Sequence, residues 1–333
     1  MSNSFGWRWP WLTLKRGGRG LRLLARYGST RKLANAARAE LAFRRRDVIV
    51  DSLPYLFRAE PTTSCSVRCP YCSSALYGRQ PPAQLSLDDF VRGFAPFREY
   101  CLLTSYHMSG EPTLNPALPD MVRYGHEAGS ATYVSTNLQQ VEEAYLERLL
   151  LSGLDLLTIS VDAASPETYA VMQPGGDFDR LLANLDAVFR LKRRVPHPPA
   201  IGFQTLVTRK NEAELQRISA LAGRYGADYV DFKCTWLQGM PTWEPANPRY
   251  RFARLLRPRV RCFMPWASLT LAANGRFFPC CAPPVNFDLG PICGDPRRDV
   301  WNGEAMRRVR EDLHADAPAG FCRDCVVGRI PRF

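Results

Sequence analysis

Three cysteines with the spacing of metal ligands lie in the first quarter of the chain, at Cys65, Cys69 and Cys72. Thiolates this close together can bind three irons of one cubic four-iron four-sulfur cluster from a single loop. The fourth iron then stays open to an exogenous ligand, which indicates a cluster that carries out chemistry. Ferredoxin loops ligate every iron and structural zinc sites pair two Cys-x2-Cys knuckles, so the wider first gap disfavours both, although a zinc knuckle remains an alternative.

Four of the six cysteines in the last quarter of the chain form a second candidate set. Cys262 and Cys280 flank a predicted turn at Gly275, and Cys322 and Cys325 form a Cys-x2-Cys knuckle. A β-hairpin that turns at Gly275 allows its two cysteines to converge with the knuckle on one centre. The spacing alone is compatible with an auxiliary iron–sulfur cluster and with a four-cysteine zinc site.

The remaining four cysteines lie outside these two sets. Cys281 and Cys293 are alternatives to Cys280 as a ligand. Cys101 opens a predicted strand and is expected to be buried packing. Cys234 directly follows the last predicted strand of the parallel series, where it is either a core residue or a catalytic thiol that donates a hydrogen atom.

Length and composition set the class of protein. The chain has 333 residues, of which 46% are hydrophobic, enough for one α/β barrel and a smaller appended part. The chain has no visible secretory signal, and its cysteine runs have metal spacing, so a cytoplasmic location is expected. No apolar run approaches the ~18 residues of a membrane-spanning helix, which argues against an integral membrane protein.

Positive charge is concentrated at the start of the chain. Residues 1–50 carry twelve Lys and Arg against Glu40 and Asp47, in a chain of net charge +12, and they include Trp7, Trp9 and Trp11. Three interpretations remain: a helix that caps the barrel, a peripheral contact with an anionic membrane surface or lipid carrier, or an RNA-binding or transit segment. No second nucleic-acid module is visible in the sequence, which argues against nucleic acid as a partner.

Strand and helix patterns alternate between about residues 54 and 234. Strands are predicted at Tyr55–Glu60, Leu102–Met108, Ala131–Ser135, Leu156–Val161, Ile201–Val207 and Tyr229–Lys233. Helices are predicted at Leu87–Tyr100 (N-cap Ser86), Pro119–Ala128, Glu142–Leu151, Phe178–Lys192 and Glu212–Tyr225 (N-cap Asn211). The fold class is therefore α/β: a partial (β/α)6 TIM-like barrel over residues 51–240, with a basic helical N-terminal extension over residues 1–50. A small C-terminal β-hairpin/helix cluster-binding domain is predicted over residues 255–333.

Motifs follow each of the first four predicted strands, on the loops where parallel barrels place their chemistry. The cysteine loop and the runs Ser109-Gly110-Glu111-Pro112, Ser135-Thr136-Asn137 and Ser160-Val161-Asp162 together resemble the radical S-adenosylmethionine (SAM) superfamily. The resemblance implies that Cys65, Cys69 and Cys72 bind the catalytic [4Fe-4S] cluster and that SAM is contacted by Tyr71, Gly110, Glu111, Asn137, Ser160 and Asp162. Ser109 and Leu138 depart from the family pattern, which usually has glycine at both positions.

The resemblance also implies a reaction. In this family the open iron chelates SAM, and an electron from the cluster cleaves the sulfonium to give methionine and a 5′-deoxyadenosyl radical that abstracts hydrogen. A reductant protein of the flavodoxin or ferredoxin type is the implied partner. The C-terminal cysteines, with the Trp301-Asn302 pair, resemble the SPASM or shorter twitch extension of this superfamily. Because the cysteine series is short, one auxiliary [4Fe-4S] cluster is expected, with Cys262, Cys280, Cys322 and Cys325 as ligands.

Three functions follow from this resemblance. The first is oxidation of a small-molecule or carrier-bound sugar or alcohol, in which the auxiliary cluster accepts an electron. The alternative is a peptide-modifying maturase that forms a crosslink or epimerises a residue, and the remote alternative is a non-enzymatic electron carrier. Side chains past the fifth and sixth strands, such as Gln204 and Lys233, are expected to line the substrate pocket, but no transferable code identifies the substrate.

Overall fold

The computed structural model describes residues 19–72, 74, 80–237, 239–256, 262–280, 287–314, 322 and 325. The expectations for Trp7, Trp9, Trp11 and Cys281 therefore fall outside the described residues.

Six parallel strands form the predicted partial barrel. They are β1 (Leu56–Ala59), β2 (Leu103–Tyr106), β3 (Ala131–Thr136), β4 (Leu156–Ser160), β5 (Ala200–Val207) and β6 (Tyr229–Cys234). Each pairs with its neighbour in chain order, so the α/β class and the barrel are confirmed. The strand patterns predicted these bounds to within two residues because each strand buries apolar side chains on at least one face.

Ten α-helices lie among the described residues. They are α1 (Arg19–Tyr27), α2 (Thr30–Arg45), α3 (Leu87–Phe94), α4 (Leu118–Glu127), α5 (Glu143–Leu150), α6 (Pro166–Met172), α7 (Phe178–Lys192), α8 (Leu215–Tyr225), α9 (Met264–Ala267) and α10 (Glu304–His314). Ser86 caps α3 as predicted, since its hydroxyl accepts a hydrogen bond from the Asp89 amide at 3.0 Å. The helix ends at Phe94, six residues before its predicted end, and turns follow it.

One predicted helix cap is wrong, and one helix was not predicted. Asn211 does not cap α8: its amide group donates instead to the carbonyls of Asp162 and Leu206, and α8 begins at Leu215 after a 3₁₀ turn. The α6 helix was not predicted from the sequence. It is only seven residues long, but Ser165 caps it through the Thr168 amide.

The two faces of the barrel strands differ in character. The outer face is apolar: Phe57 packs against Phe90 and Phe94 of α3, and Phe203 packs against Phe189 of α7. Side chains alternate along a strand, so the neighbours of these residues point to the inside of the barrel. The inner residues are largely polar, as listed here: Arg58, Ser105, Tyr133, Thr158, Ser160, Gln204, Asp231, Lys233 and Thr270.

The described part of the N-terminal extension packs on the barrel. Tyr27 of α1 is buried against Leu103 and Ala131, with Leu23 and Leu24 beside it. The Tyr27 hydroxyl group also bonds the Asp155 carboxylate at 2.9 Å. These apolar side chains of α1 therefore cover the amino-terminal end of the barrel, as the capping interpretation expects. No described helix is long and apolar enough to cross a membrane.

The C-terminal part extends the barrel sheet. Strand β7 (Ser268–Leu271) pairs in parallel with β1, and β8 (Arg276–Phe278) and β9 (Gly290–Pro291) continue the sheet in antiparallel fashion. The predicted hairpin is thus confirmed, with Gly275 at its turn in a left-handed conformation (φ 75°). One hydrophobic core runs through both parts of the sheet.

The C-terminal part also binds the segment that joins the extension to the barrel, residues 47–53, called here the connecting segment. The indole nitrogens of Trp266 and Trp301 donate to the carbonyls of Asp47 and Ser52 at 2.8 and 2.6 Å. Asn302 exchanges two hydrogen bonds with the Val50 backbone. The connecting segment is thereby held on the C-terminal part by side chains from two helical regions.

Candidate active site

The cysteine loop follows β1 at the carboxyl edge of the barrel. Cys65, Cys69 and Cys72 are free and partly buried, and the Cys72 amide donates to the Cys69 carbonyl at 3.2 Å. Burial raises the pKa of Cys65 and Cys69, and the charges of the other thiols raise these pKa values further. Three thiols therefore lie near one another in a site that disfavours their charge. An iron–sulfur cluster fits such a donor set because it is a cationic partner for thiolates.

Asn137 connects the third strand to the cysteine loop. Its side-chain amide nitrogen lies 3.7 Å from the Cys65 sulfur and 3.3 Å from the Ser66 hydroxyl. Its backbone amide donates to Glu111 at 2.7 Å. Asn137 is thus placed beside the predicted cluster, and its contact with SAM stays a prediction.

Glu111 joins the ends of β2 and β3. The carboxylate is buried and accepts hydrogen bonds from the Thr113 amide and hydroxyl, the Thr136 hydroxyl and the Asn137 amide at 2.6–3.1 Å. Burial raises the pKa of Glu111, while these four donors lower it. In this arrangement the side chain positions the loops that carry Gly110 and Asn137. Its expected role as an acceptor for SAM is untested.

Position 110 requires glycine because the backbone of the cysteine loop lies directly against it. A Cβ atom at this position would lie 2.1 Å from the Thr62 carbonyl oxygen and 2.7 Å from that of Ser64. The next amide, of Glu111, donates to the Ser64 carbonyl at 2.8 Å. The glycine therefore lets the turn after β2 lie directly on the cysteine loop, as the family motif implies.

Ser109 has a partner that explains its departure from glycine. Its hydroxyl and its amide, the latter at 3.2 Å, donate to one oxygen of Glu60, which is buried at the end of β1. The other Glu60 oxygen accepts from the Ala273 amide in the β7–β8 turn at 3.3 Å. Glu60 thus links the motif turn after β2 to the C-terminal hairpin. Sequence reasoning missed it, although an acidic residue ending a buried strand was the available signal.

Leu138 occupies the other position where the family usually has glycine. Its backbone is left-handed, with φ of 57°, which glycine adopts without strain and leucine does not. The side chain is fully buried, and the carbonyl accepts a hydrogen bond from Asn184 at 2.7 Å. Burial of an isobutyl group, worth about 2 kcal/mol, is enough to offset the cost of about 1–2 kcal/mol for this conformation.

Asp162 organises the loop after β4. Its carboxylate is buried and accepts hydrogen bonds from the Tyr71 hydroxyl (2.9 Å), the Gln173 amide group (2.8 Å) and the Leu206 amide (2.7 Å). Burial raises the pKa of Asp162. Tyr71 and Asp162, predicted separately from the sequence, are therefore in direct contact. Gln173 of the loop after α6 was missed, because α6 itself was not predicted.

Ser160 and Cys234 point in different directions. Ser160 pairs with Gln204 and lies on the inner face at the carboxyl end of β4. Cys234 follows Lys233, so strand alternation places its thiol on the opposite, outer face, where it is buried and lies 3.9 Å from the Arg249 carbonyl. This placement does not favour a hydrogen-donating role for Cys234, which stays an untested prediction.

The four distal cysteines flank the hairpin and α10. Cys262 precedes α9 and Cys280 follows β8, and the Ser268 hydroxyl lies 3.2 Å from both the Met264 and the Pro279 carbonyls. The sequence segments that carry Cys262 and Cys280 are thus held to one strand. Burial and the neighbouring charge of Cys325 raise the pKa of Cys322 to about 12, as expected for two thiols in one knuckle.

Protein-family models match both parts of this architecture. The radical SAM superfamily model matches residues 59–222, and the model of the SPASM iron–sulfur cluster-binding domain matches residues 262–326. The chain belongs to the radical SAM superfamily. Its cofactors are accordingly SAM, a catalytic [4Fe-4S] cluster and an auxiliary [4Fe-4S] cluster, as the sequence resemblance implied. Cys65, Cys69 and Cys72 would hold the first cluster, and the distal cysteines the second.

Two curated relatives align over most of the radical SAM chain. One is the AdoMet-dependent heme synthase of Methanosarcina barkeri, 24% identical over 83% of this chain and 90% of its own length. The other is the PqqA peptide cyclase of Ruegeria pomeroyi, 25% identical over 82% of this chain and 79% of its own length.

Solved structures confirm the fold. Streptococcus suis SuiB bound to the precursor peptide SuiA has a TM-score of 0.63 at 15% identity, covering 83% of this chain and 70% of SuiB. BtrN in complex with AdoMet and 2-DOIA has a TM-score of 0.53 at 16% identity, covering 83% of this chain and 94% of BtrN. At these identities the likeness supports the fold, and it assigns no substrate.

Proposed function

We propose that this radical SAM enzyme is a maturase that modifies a peptide substrate. The observation that supports the radical chemistry is the cluster loop. It carries the three cysteines and is joined to the motif turns after β2, β3 and β4 through Glu111, Asn137 and Tyr71. When bound, the cluster supplies the electron for cleaving SAM. The protein's own residues hold the loops in register and keep the site buried.

The peptide assignment replaces the expected sugar or alcohol oxidation as the leading proposal. A relative of similar length acts, by its name, on the PqqA peptide, and the SuiB structure contains a precursor peptide. The heme synthase relative shows that a non-peptide substrate also occurs among similar chains. Oxidation of a small molecule therefore stays the second candidate, because a structure of similar fold, BtrN, contains the ligand 2-DOIA beside AdoMet.

Radical chemistry is tested by anaerobic reconstitution, reduction in the presence of SAM, and chromatography for 5′-deoxyadenosine. The wild-type protein is expected to form it. A variant with Cys65, Cys69 and Cys72 all replaced by alanine is expected to form none while retaining its helical circular dichroism. SAM cleavage that survives the triple replacement would show that the catalytic cluster is bound elsewhere.

The substrate class is tested with a cell-extract fraction that passes a filter of low molecular mass cutoff. If the substrate is a peptide, this fraction should stimulate 5′-deoxyadenosine formation, and prior digestion of the fraction with a broad protease should abolish the stimulation. Protease-resistant stimulation would instead support the small-molecule oxidation. The same assay with reduced flavodoxin or ferredoxin in place of a chemical reductant tests the expected electron donor.

A further inference from the structure

A partly buried histidine side chain lies inside the barrel. His107 directly follows β2, and its ring packs edge-on against Tyr133 of β3 at 4.7 Å between centroids. The Nδ1 atom of His107 is buried and has no hydrogen-bond partner among the described residues. Leaving a buried polar atom unpaired costs about 1–3 kcal/mol, so such an atom indicates a bound group that completes the site.

Two cationic side chains, Arg58 and Lys233, belong to the same inner face. Arg58 lies on the inner face of β1, aligned with Ser105, two residues before His107, and with Thr270 of β7. Burial first, and then the positive charges of Arg58 and Lys233, lower the pKa of His107 to about 3. His107 is neutral at physiological pH, and the charge around it is positive.

The carboxylates nearest this face already have partners. Asp231 lies 3.5 Å from the Lys233 ammonium group, which also contacts Gln204. Glu60 accepts hydrogen bonds from Ser109 and Ala273. The Thr270 hydroxyl group, beside Arg58, is buried and has no hydrogen-bond partner among the described residues. The inner face therefore offers hydrogen-bonding groups and two cationic side chains to an incoming ligand, and one of these cations, Lys233, is shared with Asp231.

We propose that this inner face binds a carboxylate of the substrate, namely an acidic side chain of the peptide. Arg58 and Lys233 supply the charge, and His107, in the tautomer that carries its proton on Nδ1, donates a hydrogen bond. The site lies directly before the Ser109-Gly110 turn, so a carboxylate held there places the neighbouring carbons of the substrate next to the SAM-binding edge. This inference rests on the proposed peptide function and specifies its substrate.

The test uses the anaerobically reconstituted full-length protein with SAM and without reductant. Isothermal titration calorimetry compares N-acetyl-glutamate amide with its neutral isostere N-acetyl-glutamine amide. N-acetyl-glutamine with a free α-carboxylate tests whether a chain terminus binds instead. The wild type should prefer the side-chain carboxylate. Arg58→Gln and Lys233→Gln should each weaken its binding about tenfold to a hundredfold, as expected for loss of one charge-assisted hydrogen bond.

Arg193→Gln is the matched control, because Arg193 is exposed at the end of α7, and it should bind like the wild type. Equal binding of the glutamate and glutamine probes would overturn the proposal, as would wild-type affinity in folded Arg58→Gln and Lys233→Gln variants. If Arg58→Gln does not fold, binding by the Lys233→Gln variant tests the proposal, because Lys233 is partly exposed. A wild type that makes 5′-deoxyadenosine but does not bind the glutamate probe refutes this inference alone, whereas failure to make 5′-deoxyadenosine refutes the proposed function.

Discussion

Buried carboxylates at the carboxyl edge of the barrel link neighbouring loops through hydrogen bonds. Glu60, Glu111 and Asp162 each accept hydrogen bonds from at least two separate segments of chain, and burial raises the pKa of all three. Two of them were predicted from family motifs as SAM contacts, but a motif does not reveal which donors surround a side chain. The motifs therefore identified two of these side chains as candidates, and the contacts show how the loops that carry them are held.

A pH prediction follows for Glu60. Burial raises its pKa in the folded protein above the ordinary value of 4.5, so between these two values the folded state binds more protons than the unfolded state. Its contribution to stability is therefore present at low pH and is lost as the pH rises through the folded pKa. The free energy of unfolding is measured by chemical denaturation for the wild type and for Glu60→Gln. As the pH rises above 4.5, the variant should become more stable relative to the wild type. A difference independent of pH would contradict the buried titration.

Removing the Ser109 hydroxyl tests the link to the C-terminal hairpin. Ser109→Ala should lower the free energy of unfolding by about 1 kcal/mol, because Glu60 loses one of its donors. Ser74→Ala is a suitable comparison, since its hydroxyl donates to the Ser109 carbonyl at 3.0 Å without contacting Glu60. Only the Ser109 variant should also change the pH dependence attributed to Glu60.

At the scale of elements, the sequence predicted best those whose apolar residues recur at a fixed period. All six barrel strands were found because apolar residues on one strand face recur at a period of two. Long-range polar contacts were not predictable: Asn211 was expected to cap a helix, yet it bonds the backbones of Asp162 and Leu206. The short α6 was missed because seven residues give too little periodicity.

Arg310 of α10 offers a test of how the connecting segment is held. Its guanidinium group is fully buried, donates to the carbonyls of Pro265 and Val48 and to the Asn302 side chain, and stacks over Trp301. Burial lowers the pKa of Arg310 to about 9. Arg310→Ala should destabilise the protein by about 2–4 kcal/mol, because buried acceptors lose their donor.

Arg308→Ala is the matched control on the same helix. Arg308 is 71% exposed and pairs only at the surface with Glu304, so its loss should change stability by less than about 0.5 kcal/mol. Both variants are measured by chemical denaturation. Equal effects would mean that the buried contacts of Arg310 do not hold the connecting segment.

The assignment of the four distal cysteines as cluster ligands predicts how much iron the protein contains. If Cys262, Cys280, Cys322 and Cys325 bind a second four-iron cluster, the reconstituted wild type should contain about eight irons and the Cys65/Cys69/Cys72 triple variant about four. Iron and zinc are measured by plasma mass spectrometry. Zinc in the triple variant, without iron absorption in the visible range, would establish the alternative four-cysteine zinc site.

At the scale of the whole molecule, residues 19–50 of the N-terminal extension are part of the barrel's packing. Leu23, Leu24 and Tyr27 cover the barrel end, so the described part of the extension does not present them to a membrane. A protein that begins at Asp47 should therefore show a lower melting temperature and bind more of a dye for apolar surfaces. Unchanged melting, together with loss of binding to anionic vesicles, would favour the membrane interpretation instead.

The pairing of β1 with β7 affects how the chain folds during synthesis. More than 200 residues separate the paired Leu56 and Ser268, so the edge of β1 stays open until the hairpin has been made. At about 5–20 residues per second, a ribosome takes roughly 10–40 s to synthesise that interval. An open parallel edge is a site for wrong pairing and aggregation. The nascent chain is therefore expected to depend on chaperones over this interval, and expression at low temperature with chaperones in excess should raise the yield of folded protein.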